Sequence, residues 1–366
     1  MPRHPQYSFS HRTLIYLLLG ISIIFFLIAT RQLLVPLFLS VLLAYALYPA
    51  SSRLERYMPR ILTNFLLIIG CVILFFGVLA AFGLLVASFS DDLPQIQEQL
   101  QMNINVWREF LTERLGISDE RIDSLVSNIQ GLSQYIGALF EATTNTILIL
   151  ALIPVYAFLL LHYRNKFREF LSRVTTPEQE EIVGNVVSKA ATVVPHYIKG
   201  LLIVFFILII INSAGFYIIG VNYALLMGIV AAFFNLIPYL GTIIGYLIVF
   251  LFVLVSQEAS VALLVVVQFF IVQFLENNIL TPNITGSHVE INPLVTIFSL
   301  IAGGMLWGLP GMFIVIPYLA LIKVICDNVP NLEPIGFLMG IEGVEDHAIT
   351  IDAIKRTFGL KSRNRE

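Results

Sequence analysis

The sequence predicts an all-α fold: a polytopic membrane helix bundle of about eight spans, two of them broken or re-entrant, with a small extracytoplasmic helical insertion. Three observations carry this. Of 366 residues, 58% are hydrophobic and 12% charged, where soluble domains run at about 45–50% and about 25%. The mean hydropathy is +0.87. Apolar runs long enough to cross a hydrocarbon core about 30 Å thick recur along the chain. This composition excludes an ordinary soluble enzyme, and a net charge of −3 offers no basic excess for nucleic acid. Cys71 and Cys326 stand in apolar segments, match no disulfide framework or metal spacing, and read as packing residues.

The elements follow in order. Residues 14–29 are an apolar run behind Arg3, His4, His11 and Arg12, which is also how a signal peptide begins. No small-residue cleavage site follows, however, and a second run, 33–50, comes at once, so we read a retained span. With the run 61–89, these make an N-terminal membrane unit, residues 1–89. Residues 90–145 then interrupt the spans. Leu93, Ile96, Leu100, Ile104, Trp107 and Leu111 recur at helical spacing, as do Ile122, Leu125, Ile129, Leu132, Ile136 and Leu139. Two amphipathic helices are expected, divided at Gly116, with Ser118 capping the second.

Residues 146–326 form the membrane core, with runs at 147–161, 201–219, 223–255, 261–275 and 294–325. Within it, residues 163–199 read as a cytoplasmic interfacial helix. Thr176-Pro177-Glu178-Gln179 forms its capping box and Pro195 the turn into the membrane. Two runs are too long for one pass. The first contains Asn235-Leu236-Ile237-Pro238-Tyr239-Leu240-Gly241 and the second Gly308-Leu309-Pro310-Gly311, so each is two short passes or one helix broken near mid-depth. Backbone freed at such breaks must lie against protein or a water-filled cavity, not lipid. Each break has a GxxxG beside it, Gly241–Gly245 and Gly304–Gly308. Paired interruptions of this kind point to a binding site in transporters, and small-residue packing is the plainer reading. Residues 327–366 read as a cytoplasmic tail.

Orientation follows from Lys and Arg near the span ends. Residues 1–12, 51–60 and 163–199 carry basic residues, and so does the tail, while 90–145 has nine acids against three arginines. The insertion is therefore expected outside, and both termini in the cytoplasm.

No HExxH, GxSxG, Walker-type loop, GxGxxG or Cys/His cluster is present, so neither ATP hydrolysis nor another enzyme activity is expected and no cofactor or metal is called for. The informative feature is an asymmetry. Between Lys199 and Lys323 there is no Lys or Arg, yet Glu258, Glu276 and Glu290 are there. A carboxylate in a low-dielectric bundle without a basic partner needs a proton or a metal cation. Glu276 is the most pointed case, since it closes the run 261–275 at the negative end of that helix's dipole. Asn277, Asn278 and Thr281 follow it, offering oxygen ligands, and a hydrated loop cap is the bland alternative. Gln268 and Gln273 lie upstream as interhelical hydrogen-bonding residues, while His288 and Glu290 read as loop residues.

The segments 234–241 and 273–282, Asn292-Pro293-Leu294, and Gly303-Gly304 through Gly308-Leu309-Pro310-Gly311 to Ile316-Pro317 together resemble the autoinducer-2 exporter family of predicted permeases, in particular its PerM-like members. The resemblance implies a bacterial inner-membrane, homo-oligomeric carrier, a pentamer being one such assembly. Some relatives are associated with autoinducer-2 export, others with Na⁺/H⁺ antiport. It supports Pro238, Gly241, Glu276, Asn277, Pro282, Pro293, Gly308 and Gly311 as family-type positions.

The candidate site is therefore Asn235, Glu276 and Asn277 for substrate or ion, with Pro238, Gly241, Pro310 and Gly311 as the helix breaks. The expected function is a secondary transporter or exporter of a small solute coupled to a H⁺ or Na⁺ gradient, its partners being the lipid bilayer, the solute or ion, and further copies of itself. The competing reading is a non-transporting scaffold that binds a partner through residues 90–145.

Overall fold

The computed structural model describes residues 9–91, 143–238, 240–284 and 291–341. Every regular element among them is helical. The expected helices of 90–145 fall almost wholly on residues 92–142, outside the described residues, as does any partner surface on them. Five described helices are long and apolar enough to cross a membrane, and four shorter apolar helices accompany them.

α1 (Phe9–Ala29) and α2 (Arg31–Leu54) meet at Thr30, and α3 (Arg60–Asp91) follows. The α1 and α3 side chains are mostly exposed and apolar, as lipid contact requires. α4 (Thr143–Val174) runs parallel to α2. Ser40 Oγ donates to the Ile153 carbonyl at 2.9 Å near one end, and Arg164 to Glu55 at 2.8 Å near the other. Ala44, Ile68, Ala157 and Leu161 form the core between α2, α3 and α4.

α5 (Pro177–Ile218) opens where the capping box placed its start, with Gln179 Oε1 accepting from the Thr176 N–H at 3.4 Å. It is one helix of 42 residues, about 63 Å long. The expected interfacial helix over 163–199 is thus corrected: those residues are the end of α4, a short link and the first half of α5, and Pro195 does not turn the chain. A proline inside a helix removes one backbone bond and costs about 3 kcal/mol. Burial on both sides, at Val194 and Ala190 before it and Val204 and Leu208 after it, holds the helix together through the defect. α5 ends in a left-handed Gly220 (φ +81°), with Val221 N–H reaching the Phe216 carbonyl at 2.8 Å.

Both long apolar runs resolve into helical hairpins. α6 (Ala224–Phe234) and α7 (Leu240–Ser256) are the first pair. With 11 residues, α6 is about 16 Å long, too short to cross. Gln257, just past α7, accepts from the Asn222 N–H (2.9 Å) and donates to the Gly220 carbonyl (2.8 Å), so this hairpin's mouth lies at the Ile218 end of α5. The chain then descends through α8 (Ala259–Leu275), a π-helical turn (Glu276–Leu280) and α9 (Thr281–Ile284) as one unbroken rod.

α10 (Pro293–Trp307) and α11 (Leu309–Asn328) are the second pair, hinged at Gly308 with φ +65° and ψ −145°, a conformation essentially reserved for glycine. Lys189 Nζ donates to Asn328 Oδ1 at 2.7 Å. Asn292, the cap of α10, binds the backbone of 338–340 at the end of α12 (Glu333–Met339). The mouth of this hairpin therefore lies near Lys189, 29 residues before Ile218 on α5, or about 44 Å along its axis. The two hairpins open in opposite directions. Ile237, at the first tip, lies in one buried cluster with Leu300, Ile316 and Leu319 of the second.

Candidate functional site

The tip of the first hairpin and the π turn form a polar group inside the bundle. Asn235 ends α6, and its Nδ2 donates to Glu276 Oε1 at 2.8 Å. Thr242, in the first turn of α7 and buried, donates through Oγ1 to Asn235 Oδ1. Since a hydroxyl already supplies the amide oxygen, the amide nitrogen is turned toward the carboxylate. On the other side of Glu276, Gln273 Nε2 lies 3.5 Å from Oε2 and donates to Asn277 Oδ1 at 3.0 Å. Asn278 donates to the Phe274 carbonyl at 2.9 Å, and Asn283 to the Ile279 carbonyl, so these two amides secure the widened turn.

Of the expected residues, Asn235 and Glu276 are thus brought into direct contact, and Asn277 joins them through Gln273 while remaining exposed. One premise is corrected. Glu276 does not stand at a helix end, because the chain continues helically through it to Ile284. Its distinction is to begin a π turn, a feature frequent at functional sites.

Pro238 lies in the first break and Gly241 just after it. A Cβ on Gly241 would collide with the Phe234 carbonyl oxygen, and one on Gly245 would lie 2.9 Å from the Ala231 carbonyl, so the hairpin closes backbone to backbone. In the second hairpin the break is Gly308 itself, and Pro310 and Gly311 sit in the first turn of α11, where proline costs no bond. Gly311 packs against the Gly303 carbonyl, while the Gly304–Gly308 pair makes no backbone approach: Gly304 faces the flexible Met312 side chain and Gly308 has open space. Among the described residues, no hydrogen bond ties Pro310 or Gly311 to the Glu276 group.

A second polar group, of which the sequence singled out Gln268 but not Asn212 or Tyr246, adjoins the first. Tyr246, one turn beyond Thr242, donates to Asn212 Oδ1 at 2.6 Å, and Gln268 Nε2 donates to the Asn212 carbonyl at 3.1 Å. Asn212 is 2% exposed. Its signal was legible, since it is the first polar residue after eleven apolar ones, 201–211. Gln268 and Glu276 stand eight residues apart, on one face of the same rod.

A third group lies away from these. Glu55 accepts from Arg164 and Ser51, with Arg60 Nε 3.6 Å away and the Arg164 guanidinium 5.1 Å from the Tyr48 ring centre. Burial pushes the Glu55 carboxyl up, but hydrogen bonds from Arg164 and Ser51 and the charges of Arg164 and Arg60 outweigh it, holding the group below the usual glutamate range.

A bundle of apolar helices with two opposed hairpins, and polar side chains meeting at the tip of one, is the architecture of a polytopic membrane protein. The family model described as AI-2E family transporter matches residues 14–331, and the chain belongs to that family. It is 27% identical over 312 residues to the Bacillus subtilis protein YrrI, covering 82% of this chain and 87% of YrrI. It is 28% identical over 336 residues to Escherichia coli PerM, covering 87% and 92%. The AI-2 transport protein TqsA of Escherichia coli is 24% identical over 315 residues, covering 84% and 89%. Membrane transport of a small solute, in a bacterial inner-membrane, multi-pass setting, is what these relationships support.

Proposed function

We propose that this protein is a secondary carrier that exports a small solute at the expense of a H⁺ or Na⁺ gradient, with Glu276 binding the coupling cation. The carrying observation is the bond from Asn235, at a hairpin tip, to a carboxylate in a stretch of 123 residues (200–322) without Lys or Arg. The tip helices α6 and α7 can open or close over Glu276, and the cation compensates its charge when Asn235 withdraws. AI-2, which TqsA is named for, is one candidate solute. Both termini are assigned to the cytoplasm by the loop charges, and the working form to a homo-oligomer, a pentamer among the assemblies to be tested.

The test is transport in proteoliposomes of a panel of small solutes, with and without imposed pH and Na⁺ gradients, for the wild type and Glu276→Gln. The substitution keeps size and removes charge. Flux in the wild type should depend on one gradient, and Glu276→Gln should flatten that dependence with expression and oligomeric state unchanged. Full gradient dependence in Glu276→Gln would reduce Glu276 to a cap of the π turn.

A further inference from the structure

Three apolar runs meet at one level of the bundle. The runs 33–50 and 147–161 end there, and the run 61–89 begins there. The 2.8 Å bond from Arg164 to Glu55 joins the ends of α2 and α4, and Arg60, the first residue of α3, brings Nε to 3.6 Å from the same carboxylate. These helix ends therefore reach the edge of the hydrocarbon core side by side, on the face that the loop charges assign to the cytoplasm. Charge there is one-sided. Residues 48–64 and 161–168 hold six Lys and Arg but one acid, Glu55, and two guanidiniums share that carboxylate. Arg53 and Arg56 lie within two residues of it, and Arg168 lies one turn beyond Arg164 on the same face of α4. All three are exposed, and among the described residues no hydrogen bond or ion pair engages their guanidiniums.

An apolar ridge runs beside these arginines. Val155, Leu159, Tyr163 and Phe167 recur every four residues of α4 and are all exposed, so they form one face that the bundle leaves uncovered. Val155 and Leu159 lie within the apolar run, and Tyr163 and Phe167 continue the same face just past its end. Side chains on a helix lean toward its N-terminus, which here turns both rings back toward the membrane. Tyr163 and the exposed Tyr57 are of the aromatic type enriched at headgroup level. Guanidiniums match the oxygens of a phosphate, and an uncovered ridge continuous with the lipid-facing side of α4 matches acyl chains. A soluble phosphate would use the arginines alone, and a second protein copy on the ridge would leave their charge unmet. A molecule that carries both a phosphate and acyl chains uses the whole surface.

We infer that Arg53, Arg56 and Arg168 bind the phosphodiester of an anionic phospholipid, whose acyl chains lie along Val155, Leu159 and Tyr163. The Arg164–Glu55 bond positions the site by holding α4 against the end of α2. The anionic inner leaflet attracts clustered Lys and Arg in this way, and basic pockets between membrane helices hold such headgroups. The site belongs to the α2–α3–α4 unit and is independent of the coupling role given to Glu276.

The experiment places a reporter on the ridge. Full-length protein carrying Leu159→Trp is reconstituted into mixed vesicles of phosphatidylglycerol and phosphatidylcholine, with bromine on the acyl chains of one lipid or the other. Bromine quenches tryptophan on contact, and the signal of Trp107 and Trp307 is subtracted with the parent protein. Brominated phosphatidylglycerol should quench the reporter with a relative affinity about fivefold or more above that of brominated phosphatidylcholine, the scale of one Lys or Arg near a charged surface. Arg56→Gln with Arg168→Gln removes two exposed charges that make no internal bond, and should bring that ratio close to one while both lipids still quench. Equal quenching by the two lipids in the parent reporter would overturn the headgroup site, and so would a preference unchanged by the two substitutions. Absence of quenching by either lipid would take the ridge out of contact with acyl chains and overturn the site as a whole. Loss of the preference on adding inorganic phosphate, but not chloride at equal ionic strength, would assign the arginines to a soluble anion instead.

Discussion

Asn235 and Glu276, 41 residues apart in the chain, are joined by a 2.8 Å hydrogen bond from the amide nitrogen to a carboxylate oxygen. The bond ties the tip of one hairpin to the π turn of a continuous helix. Neither residue reaches the other through its own element, so their contact depends on α6 stopping at Phe234 and α7 restarting at Leu240. Hydrogen bonds between membrane helices average only about 0.6 kcal/mol. The contact is therefore weak as glue and well suited to be broken and remade.

Thr242 should act on Glu276 through Asn235. Thr242→Val keeps the shape and removes the hydroxyl donor, freeing the Asn235 amide to turn its oxygen toward the carboxylate. The expected result is a shifted pH or Na⁺ profile of transport, with the melting temperature within a few degrees of wild type, and Thr242→Ser should restore the profile. An unchanged profile in Thr242→Val would show that the amide orientation does not matter to coupling.

The sequence carried the hairpins and the Asn235–Glu276–Asn277 set for identifiable reasons. Pro238 and the Gly308-Leu309-Pro310-Gly311 stretch interrupt apolar runs too long for one pass, although the second break falls at Gly308 and not at Pro310 or Gly311, and a region without basic residues makes its carboxylates conspicuous. It misled at Pro195 because a buried proline within a long helix looks the same, in one dimension, as a proline at a turn. It misled at the end of α8 because Glu276-Asn277-Asn278 has the composition of a loop, and only the three-dimensional path shows the amides of Asn278 and Asn283 bonding back to a continuing helix. The pairing of Tyr246 with Asn212, 34 residues away, depends on helix packing that no spacing rule encodes.

The glycines separate by what their missing side chain would strike. Gly241→Ala and Gly311→Ala each push a methyl group into a carbonyl oxygen of the facing helix, at Phe234 and Gly303, where the backbone cannot give way. Overpacking of this kind costs about 1–3 kcal/mol or more, and both variants should lose most transport and melt lower. Gly304→Ala meets only the end of Met312, which can rotate away, and should stay near wild type. Equal behaviour of Gly304→Ala and Gly311→Ala, measured by transport and by melting in detergent, would mean that the α10–α11 approach is not a functional constraint.

Glu55 and Arg164 should make the α2–α4 contact sensitive to acid. Because the folded-state carboxyl is held below its ordinary value, the unfolded chain binds a proton more readily, so the stabilisation is present at neutral pH and is lost as pH falls below about 4.3 and through the lower folded value. Glu55→Gln removes that dependence. The wild-type melting temperature should thus fall more steeply than the variant's between about pH 5 and pH 3. Arg164→Met, which leaves the Glu55 carboxylate with Ser51 and the more distant Arg60 as partners, should lower stability at pH 7 by about 1.5–3 kcal/mol, whereas parallel pH curves for wild type and Glu55→Gln would remove the pair from the stability argument.

The orientation can be tested on residues whose positions are described. Tyr57 is 86% exposed in the basic link between α2 and α3, which the loop charges assign to the cytoplasm. Asn222 is exposed at the mouth of the first hairpin, at the far end of α5 from Lys189. If α5 crosses once from a cytoplasmic start, Asn222 faces outside. With Cys71 and Cys326 replaced by alanine, Asn222→Cys should react with an impermeant maleimide in intact cells and Tyr57→Cys only after permeabilisation. Labelling of Tyr57→Cys alone in intact cells would invert the whole bundle and exchange the sides to which the two hairpins open. Labelling of both would mean that α5 does not carry the chain across, and that the first hairpin opens on the same side as the basic loops.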